Sequence, residues 1–303
     1  MGEYEGEHTA ASGQKRAAKA KLVARGRGRY DVVLTFLQRS RGSERARLEL
    51  DGRRLDGGVW VRGQALGVEW KGALSGQRLV VASSGQESAC FRLRRAERHS
   101  PTEGQAPPEG AVVLLPFEPG RPTSLEAWTN PRWKVLEDGS VLVRGGDNRT
   151  RRQFQDFRAH IEFRCPFMPT RRGQRRGNSG VFLQDRYELQ VLDSFGLEPH
   201  RRGCGAFYGL LAPSCNPCLP PGRWQTFDIV FRAPRFDAQG AKTAPAVATV
   251  RLNGVTIHDG AEVPEPTRGG IGEEGQPGPL RLQDHLCPVR YRNIWVVEDD
   301  LSP

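Results

Sequence analysis

Alternation of apolar and polar residues near the middle of the chain constrains its fold most. Apolar residues occupy every second position of the segment FRAHIEFR, namely Phe157, Ala159, Ile161 and Phe163. A period of two over eight residues is typical of a β-strand with one buried face. The segments YELQVLD and TFDIVFR repeat the pattern, and Asn253-Gly254 between two apolar runs predicts a tight hairpin.

Glycine and proline interrupt these runs at short intervals. The chain contains 36 Gly and 22 Pro in 303 residues, well above the ~12% that the two residues usually make up together. It shows no amphipathic helix and no apolar run near the ~20 residues of a membrane span. The sequence therefore predicts an all-β protein of many short strands and excludes a helical bundle.

Composition divides the chain into two β domains. Residues 1–99 contain short apolar runs between Gly-rich turns and predict a small antiparallel sheet or barrel, although the first 30 residues are polar with little periodicity. Residues 100–110 are rich in Pro, Gly and Glu and predict a linker. Residues 111–303 carry the strongest strand signals and predict an antiparallel two-sheet sandwich.

The net charge of +10 is concentrated in two segments. Eleven basic residues face two acidic ones between Gln14 and Arg47, and five arginines lie between Arg164 and Arg176 with no acid among them. Such a strip can bind a polyanion. No helix-turn-helix, zinc-finger spacing or RNA-binding aromatic strand accompanies it. We therefore interpret it as the solvated surface of an Arg-rich chain and expect no nucleic-acid partner.

A series of blocks in the second half resembles the 3-keto-disaccharide hydrolase family in order and spacing. The most specific are NSGVF, YELQVLD and LQDH…RNIW, together with CGAFYG and PPGRWQTFDIVFR. The resemblance covers residues 111–299 and implies a concanavalin-like β-jelly roll. Residues 1–110 resemble the small β domain that precedes this module in planctomycete-type members. One departure is Pro116-Phe117-Glu118-Pro119, where the family often has an FDG turn.

The resemblance also implies a function and a location. Family members are associated with hydrolysis or lyase-type cleavage of glycosides whose C3 hydroxyl has been oxidised to a ketone, so the expected partner is a carbohydrate. The alternative is a non-catalytic carbohydrate-binding module of an exported protein. We expect an extracytoplasmic location, periplasmic or secreted. The start MGEYEGEH has neither a basic region nor an apolar stretch, so we expect no signal peptide in this chain.

Two carboxylates and a histidine are the candidate catalytic residues. Glu188 and Gln190 share a strand face about 7 Å apart, and one β-bulge would bring Asp193 to the same face. Because a C3 ketone acidifies the C2 proton, cleavage needs a base, an acid for the leaving oxygen and a group that stabilises the enolate. We predict Glu188 or His285 as the base and Asp193 as its partner. A divalent cation stays open as a cofactor, although no ligand spacing supports one.

Other polar and aromatic residues are candidates for binding the substrate. Arg290 and Arg292 would stabilise the enolate, and Tyr208 or Trp128 would stack on a pyranose ring. Each has a structural alternative, since arginines pair with acids and tryptophans often belong to the core. The remaining candidates for hydrogen bonds to sugar hydroxyls are Asn178, Ser179 and Gln190.

Six cysteines leave two interpretations open. Cys215 and Cys218 form a CxxC, but no second pair at matched spacing supports structural zinc. In chains of the resembling family, a cysteine before the GA(I/F)YG motif recurs with one before PPGxW. That resemblance implies a Cys204–Cys218 disulfide, with Cys215 free.

Overall fold

The structure of the protein is a computed structural model that describes residues 1–37, 45–85 and 88–298. Almost all of its regular secondary structure is β, with one short 3-10 turn, Gly173–Arg175, among these residues. No helix within the described ranges has the length and apolarity of a membrane span. The chain divides into two units, Met1–Arg98 with Pro169–Arg171, and His99–Met168 with the chain from Arg172 onward. The all-β prediction is confirmed.

The first unit is a closed barrel of eight antiparallel strands. Each strand pairs with the next along the chain, and the last pairs with the first. The barrel interior holds a hydrophobic cluster that includes Leu34, Trp70 and Phe91. The strands are β1 (Gly2–Thr9), β2 (Lys15–Gly26), β3 (Arg29–Leu37), β4 (Arg45–Leu55), β5 (Gly58–Ala65), β6 (Val68–Ser75), β7 (Arg78–Ser83) and β8 (Cys90–Ala96).

The polar first 30 residues form barrel strands, which their weak periodicity did not predict. In β2 the buried positions are Ala18, Ala20 and Leu22, so small residues stand where large apolar ones would have given a clear signal. Lys19 contacts Glu5 of the neighbouring strand at 2.7 Å. The basic strip is therefore partly neutralised across the barrel. Its residues at positions 39, 41 and 44 lie outside the described residues.

The second unit contains two main sheets. The larger has the order β10-β11-β22-β13-β16-β19-β20, with β9 also paired to β22, and the smaller has the order β12-β21-β14-β15. A two-stranded ribbon, β17-β18, stands apart. The strands are β9 (Val112–Leu115), β10 (Lys134–Val135), β11 (Val141–Leu142), β12 (Asn148–Phe154), β13 (Phe157–Arg164), β14 (Ser179–Leu183), β15 (Tyr187–Val191), β16 (Gln225–Arg232), β17 (Arg235–Phe236), β18 (Lys242–Ala244), β19 (Ala246–Leu252), β20 (Val255–Val263), β21 (Gly278–Leu282) and β22 (Arg290–Glu298).

The two sheets enclose one hydrophobic core. Strand β13 of the larger sheet contributes Phe157, Ile161 and Phe163, and strand β15 of the smaller contributes Leu189 and Val191. Residues between these positions face away from the core, as the alternation predicted. This arrangement is the concanavalin-like jelly-roll sandwich, and the fold prediction is confirmed.

Residues 99–110, which we call the strap, belong to the second unit. The composition of residues 100–110 predicted a linker, but their contacts are extensive. Ser100 is buried and its hydroxyl lies 2.6 Å from that of Thr226. The Gly104 N–H donates to Glu162 at 2.5 Å, and the Trp295 indole donates to the Gln105 carbonyl at 3.3 Å. The strap is thus hydrogen-bonded to the outer face of the larger sheet.

Candidate functional site

The outer face of the smaller sheet carries the candidate site. On β15, Leu189 and Val191 belong to the core, so Glu188 and Gln190 face the opposite way. The neighbouring strand β14 places Phe182 opposite Glu188 and Gly180 opposite Gln190. The shared face of Glu188 and Gln190 that the sequence predicted is therefore present.

Glu188 has the chemical environment expected of an acid–base group. The residue is 4% exposed, and its carboxyl makes no hydrogen bond or ion pair with any residue that the structure describes. Burial raises the pKa of Glu188 to about 8, with Arg281 opposing and Asp147 reinforcing the rise. An unpaired carboxyl in a buried setting is costly to ionise. At neutral pH the group is therefore mostly protonated, yet within reach of ionisation.

Gly180 makes room for the Glu188 carboxyl. A Cβ at position 180 would lie 2.5 Å from Oε1 of Glu188 and 3.0 Å from its Cγ. Both distances are shorter than normal contacts between heavy atoms, so the carboxyl occupies space that only glycine leaves open. The Glu188 side chain consequently packs against the backbone of β14 at Gly180.

Arg281 is the cation whose charge lowers the pKa of Glu188. The sequence did not predict it as a site residue. It is buried on β21 opposite Phe182, and its guanidinium lies 3.6 Å from the centre of that ring. It donates to Asp147 at 2.8 Å and to the Gly269 carbonyl at 2.6 Å, and pairs with Asp185. Its position between two core leucines in PLRLQ was the signal that could have located it.

Asp193 differs from Glu188 in being held in an ion pair. Its carboxylate lies 2.6 Å from Nε of Arg176, and both side chains are buried. Strand β15 ends at Val191, and Val191 and Leu192 both enter the core. The strict alternation therefore breaks just before Asp193, at the place where a bulge was predicted. The arginine partner came from the basic segment that we had interpreted as solvated surface.

Asn178 and Gln190 are brought together, whereas Ser179 is not part of the same group. Both amides are buried and donate to Oε1 of Gln174, at 3.2 Å and 2.8 Å. The Ser179 hydroxyl instead donates to the Gln283 carbonyl and lies 2.9 Å from the hydroxyl of Tyr291, a core residue. Gln174 was not predicted, because no strand pattern extends into its 3-10 turn.

Arg290 and Arg292 do not lie with Glu188, which corrects their predicted role as enolate stabilisers. Both belong to β22 in the larger sheet. Arg292 donates to Glu162 at 2.6 Å and to Glu103 of the strap at 2.9 Å, on the outer face of that sheet. Arg290 lies 3.3 Å from Asp138. Pairing with acids, the structural alternative, accounts for both.

Trp128 is likewise a structural residue. It is 3% exposed within the core, and its indole donates to the Leu114 carbonyl at 2.7 Å. A tryptophan buried in this way offers no face to a pyranose, so the stacking role predicted for it is wrong. Trp128 belongs to the hydrophobic core, which is the structural alternative that the sequence left open.

Tyr208 and His285 lie at the surface of the second unit. Tyr208 is half-buried beside β15, where its N–H donates to the Glu188 carbonyl at 3.0 Å. His285 is exposed and makes no hydrogen bond or ion pair with any residue in the described ranges. The structure therefore joins Tyr208 to the Glu188 strand and shows no contact of His285 with Glu188.

None of the six cysteines forms a disulfide in the structure, so it has no Cys204–Cys218 bond. Both residues are buried in the hydrophobic core, where a thiol packs as a small apolar side chain. Cys215 is partly buried against the same core. Among the described residues, no group of three or more His, Cys, Asp or Glu side chains is arranged to hold a metal ion.

A depression lies on the other side of the sandwich, beside the strap. Its volume is about 610 Å³, and its lining includes Thr102, Asp228 and Trp295. The acidic group there is already paired, because Asp228 accepts from Thr102 at 2.7 Å and lies 2.7 Å from Nδ1 of His160. It offers no unpaired carboxyl of the kind that Glu188 provides, so the chemistry favours the smaller sheet.

Comparison with known proteins agrees with this architecture. The fold is shared with a solved protein described as a glycosyl hydrolase, which makes the second unit a glycosyl-hydrolase-like jelly roll. Residues 116–297 match the family model described as the 3-keto-alpha-glucoside-1,2-lyase-like domain. That range is more than half of the chain, and the chain belongs to this family.

Solved structures similar to the chain come from Parabacteroides distasonis ATCC 8503. A protein described as a "putative glycosyl hydrolase" is 34% identical over 63% of this chain and 85% of its own, with a TM-score of 0.57. A second protein with the same description is 18% identical over 63% of this chain and 95% of its own, with a TM-score of 0.45. No curated protein sequence matches the chain significantly.

Proposed function

We propose that the second unit cleaves the glycosidic bond of 3-keto-α-glucosides, with Glu188 as the acid–base group. The observation that carries the proposal is the buried Glu188 carboxyl, which has no partner among the described residues and a pKa raised to about 8 by burial. A non-catalytic carbohydrate-binding module has no use for such a group, since an unpaired buried carboxyl destabilises the fold. Family membership supplies the substrate class.

The chemistry follows from the ketone at C3 of the sugar. The Glu188 carboxylate removes the C2 proton, and the electron pair passes into an enolate. The enolate then reforms the ketone as the C1–O bond breaks, which leaves a C1=C2 double bond. The departing oxygen takes the proton that Glu188 now carries. Addition of water across the double bond completes hydrolysis. If the unsaturated keto-sugar is released without adding water, the reaction is that of a lyase.

One residue can serve both proton transfers because its pKa is near the working range. General acid–base catalysis is most efficient when the pKa of the group lies near the operating pH. Asp193 is held in an ion pair with Arg176, which makes its carboxylate less available to accept a proton. Since the first step needs the carboxylate, kcat/KM should rise with pH and level off above about 8.

The test uses 4-nitrophenyl 3-keto-α-D-glucopyranoside and follows release of nitrophenol. Glu188→Gln should lower kcat by about 10²–10⁴-fold, the usual contribution of a general acid–base group. Glu137→Gln, a change at an exposed surface residue, is the matched control and should retain activity. A parallel assay with EDTA tests whether the reaction requires a divalent cation. Full activity of Glu188→Gln would exclude the proposed role.

A further inference from the structure

Gln174 controls the orientation of two buried amides near Glu188. Its side-chain Nε2 donates to the backbone carbonyl of Arg202 at 2.8 Å. A carbonyl oxygen can only accept a hydrogen bond. The amide nitrogen of Gln174 must therefore face Arg202, and its Oε1 must face the opposite way.

That orientation fixes the next two amides in turn. Oε1 of Gln174 accepts from Nε2 of Gln190 at 2.8 Å and from Nδ2 of Asn178 at 3.2 Å. Nδ2 of Asn178 also donates to the backbone carbonyl of Gln174 at 2.9 Å, which sets the same orientation independently. Both residues must therefore turn their amide nitrogens toward Gln174 and their oxygens away from it.

The two oxygens that result are buried acceptors without donors. Gln190 is 1% exposed and Asn178 is 2% exposed. Neither Oε1 of Gln190 nor Oδ1 of Asn178 has a hydrogen-bond partner among the described residues. Leaving a buried polar atom without a hydrogen bond destabilises the folded protein. The two oxygens belong to amides that share one acceptor, Oε1 of Gln174, and they point to a site where a ligand supplies the donors.

The acceptors lie close to the proposed acid–base group. Gln190 and Glu188 share one face of β15, where residues two apart are separated by about 7 Å. Oε1 of Gln283 is a third buried acceptor without a partner in the described ranges, and the Gln283 backbone donates to Gly180, beside Glu188. The oriented oxygens of Gln190 and Asn178 thus suit hydroxyl donors and offer nothing to a carbonyl.

We propose that Gln174 is a positioning residue that holds Gln190 and Asn178 as an acceptor-only pair for two unoxidised hydroxyls of the sugar. This inference rests on the proposed function for its substrate class. Because a ketone has no proton to donate, the pair orients a keto-sugar with its ketone directed elsewhere. A site built to pair a substrate hydroxyl discriminates strongly against the analogue that lacks it.

The test measures binding without turnover. Isothermal titration calorimetry compares methyl 3-oxo-α-D-glucopyranoside with its 2-, 4- and 6-deoxy analogues on the Glu188→Gln protein. We expect two of the three analogues to bind at least about tenfold more weakly than the parent, as the cost of an unpaired buried acceptor requires. The control adds Glu137→Gln to the same background. It should bind each of the four ligands with the same affinity as the Glu188→Gln protein.

Changes at Gln174 separate positioning from a general structural role. In the same background, Gln174→Leu should abolish the discrimination against one of the two weakened analogues, because Gln190 is then free to rotate. Asn178 still donates to the backbone carbonyl at position 174, so the discrimination that it provides should remain. Gln174→Glu loses the donor to the Arg202 carbonyl but still presents an acceptor oxygen to Gln190 and Asn178, so it should retain the discrimination. Thermal unfolding of each variant verifies the fold. A structural role alone would weaken all four ligands equally and preserve the discrimination.

Three results would overturn the inference: no binding of the parent glucoside, equal binding of all deoxy analogues, or unchanged discrimination in Gln174→Leu. Failure of the proposed function gives a different pattern. If the unsubstituted protein releases no nitrophenol while binding still discriminates the analogues, only the assignment of cleavage fails.

Discussion

Replacing Glu188 with glutamine should change how the stability of the second unit depends on pH. Burial is the main reason that the pKa of Glu188 rises from its ordinary value of 4.5 to about 8. Each tenfold change in acidity corresponds to about 1.4 kcal/mol. Ionising this carboxyl in the folded protein therefore costs about 5 kcal/mol more than in the unfolded chain. Since Glu188 is 4% exposed, solvent screening does not reduce this value much.

The direction of the effect follows from proton binding. Between about pH 4.5 and pH 8 the folded protein holds the Glu188 proton that the unfolded chain has lost. The free energy of unfolding therefore falls as pH rises through this range. From about pH 5 to pH 8, the protein with Glu188 should lose about 3–4 kcal/mol relative to Glu188→Gln, which has no such titration.

Urea unfolding followed by tryptophan fluorescence at about pH 5, 6.5 and 8 measures this difference. Burial lowers the pKa of His160, but Asp228 and Glu162 raise it to a net value above the ordinary one. Its contribution is the same in both proteins and cancels in their difference. Glu137→Gln should follow the unsubstituted protein at every pH. A constant difference between Glu188→Gln and the unsubstituted protein would refute the reasoning.

Three further predictions concern other parts of the molecule. Arg292→Met removes the charged hydrogen bond between Arg292 and buried Glu162, so the free energy of unfolding should fall by about 1.5–3 kcal/mol with kcat of the folded protein unchanged; a lost kcat would restore a role in catalysis. Gly180→Ala should displace the Glu188 carboxyl and lower kcat at least about tenfold, with far-UV circular dichroism retained; unchanged kcat contradicts this. Thiol titration of denatured, unreduced protein should find all six thiols, and a count of four would show a disulfide.

The strands were predictable because their signal is local. Every second residue of β13 and β15 enters the core, and that period is visible in the sequence itself. The shared face of Glu188 and Gln190 followed for the same reason. Where small residues replace large ones, as at Ala18 and Ala20 of β2, the same geometry leaves a weaker pattern.

The partners of the site residues were much less predictable. Periodicity tells which residues share a face, but not which sheet a strand joins, so Arg290 and Arg292 were assigned to the wrong side of the sandwich. The contacts of Asp193 with Arg176, and of Gln190 with Gln174, come from a turn that has no periodic pattern. Such contacts depend on the conformation of loops, and loop conformation leaves no periodic pattern in a single sequence.

The strap changes where the smallest autonomous piece of this protein should be cut. The resemblance to the family begins only at residue 111, and a truncation there would look natural. It would remove Gly104 from the buried Glu162 and Glu103 from Arg292, and it would uncover Trp295. A truncated chain that begins near His99 keeps those groups satisfied, so homology and folding set different limits for the same domain.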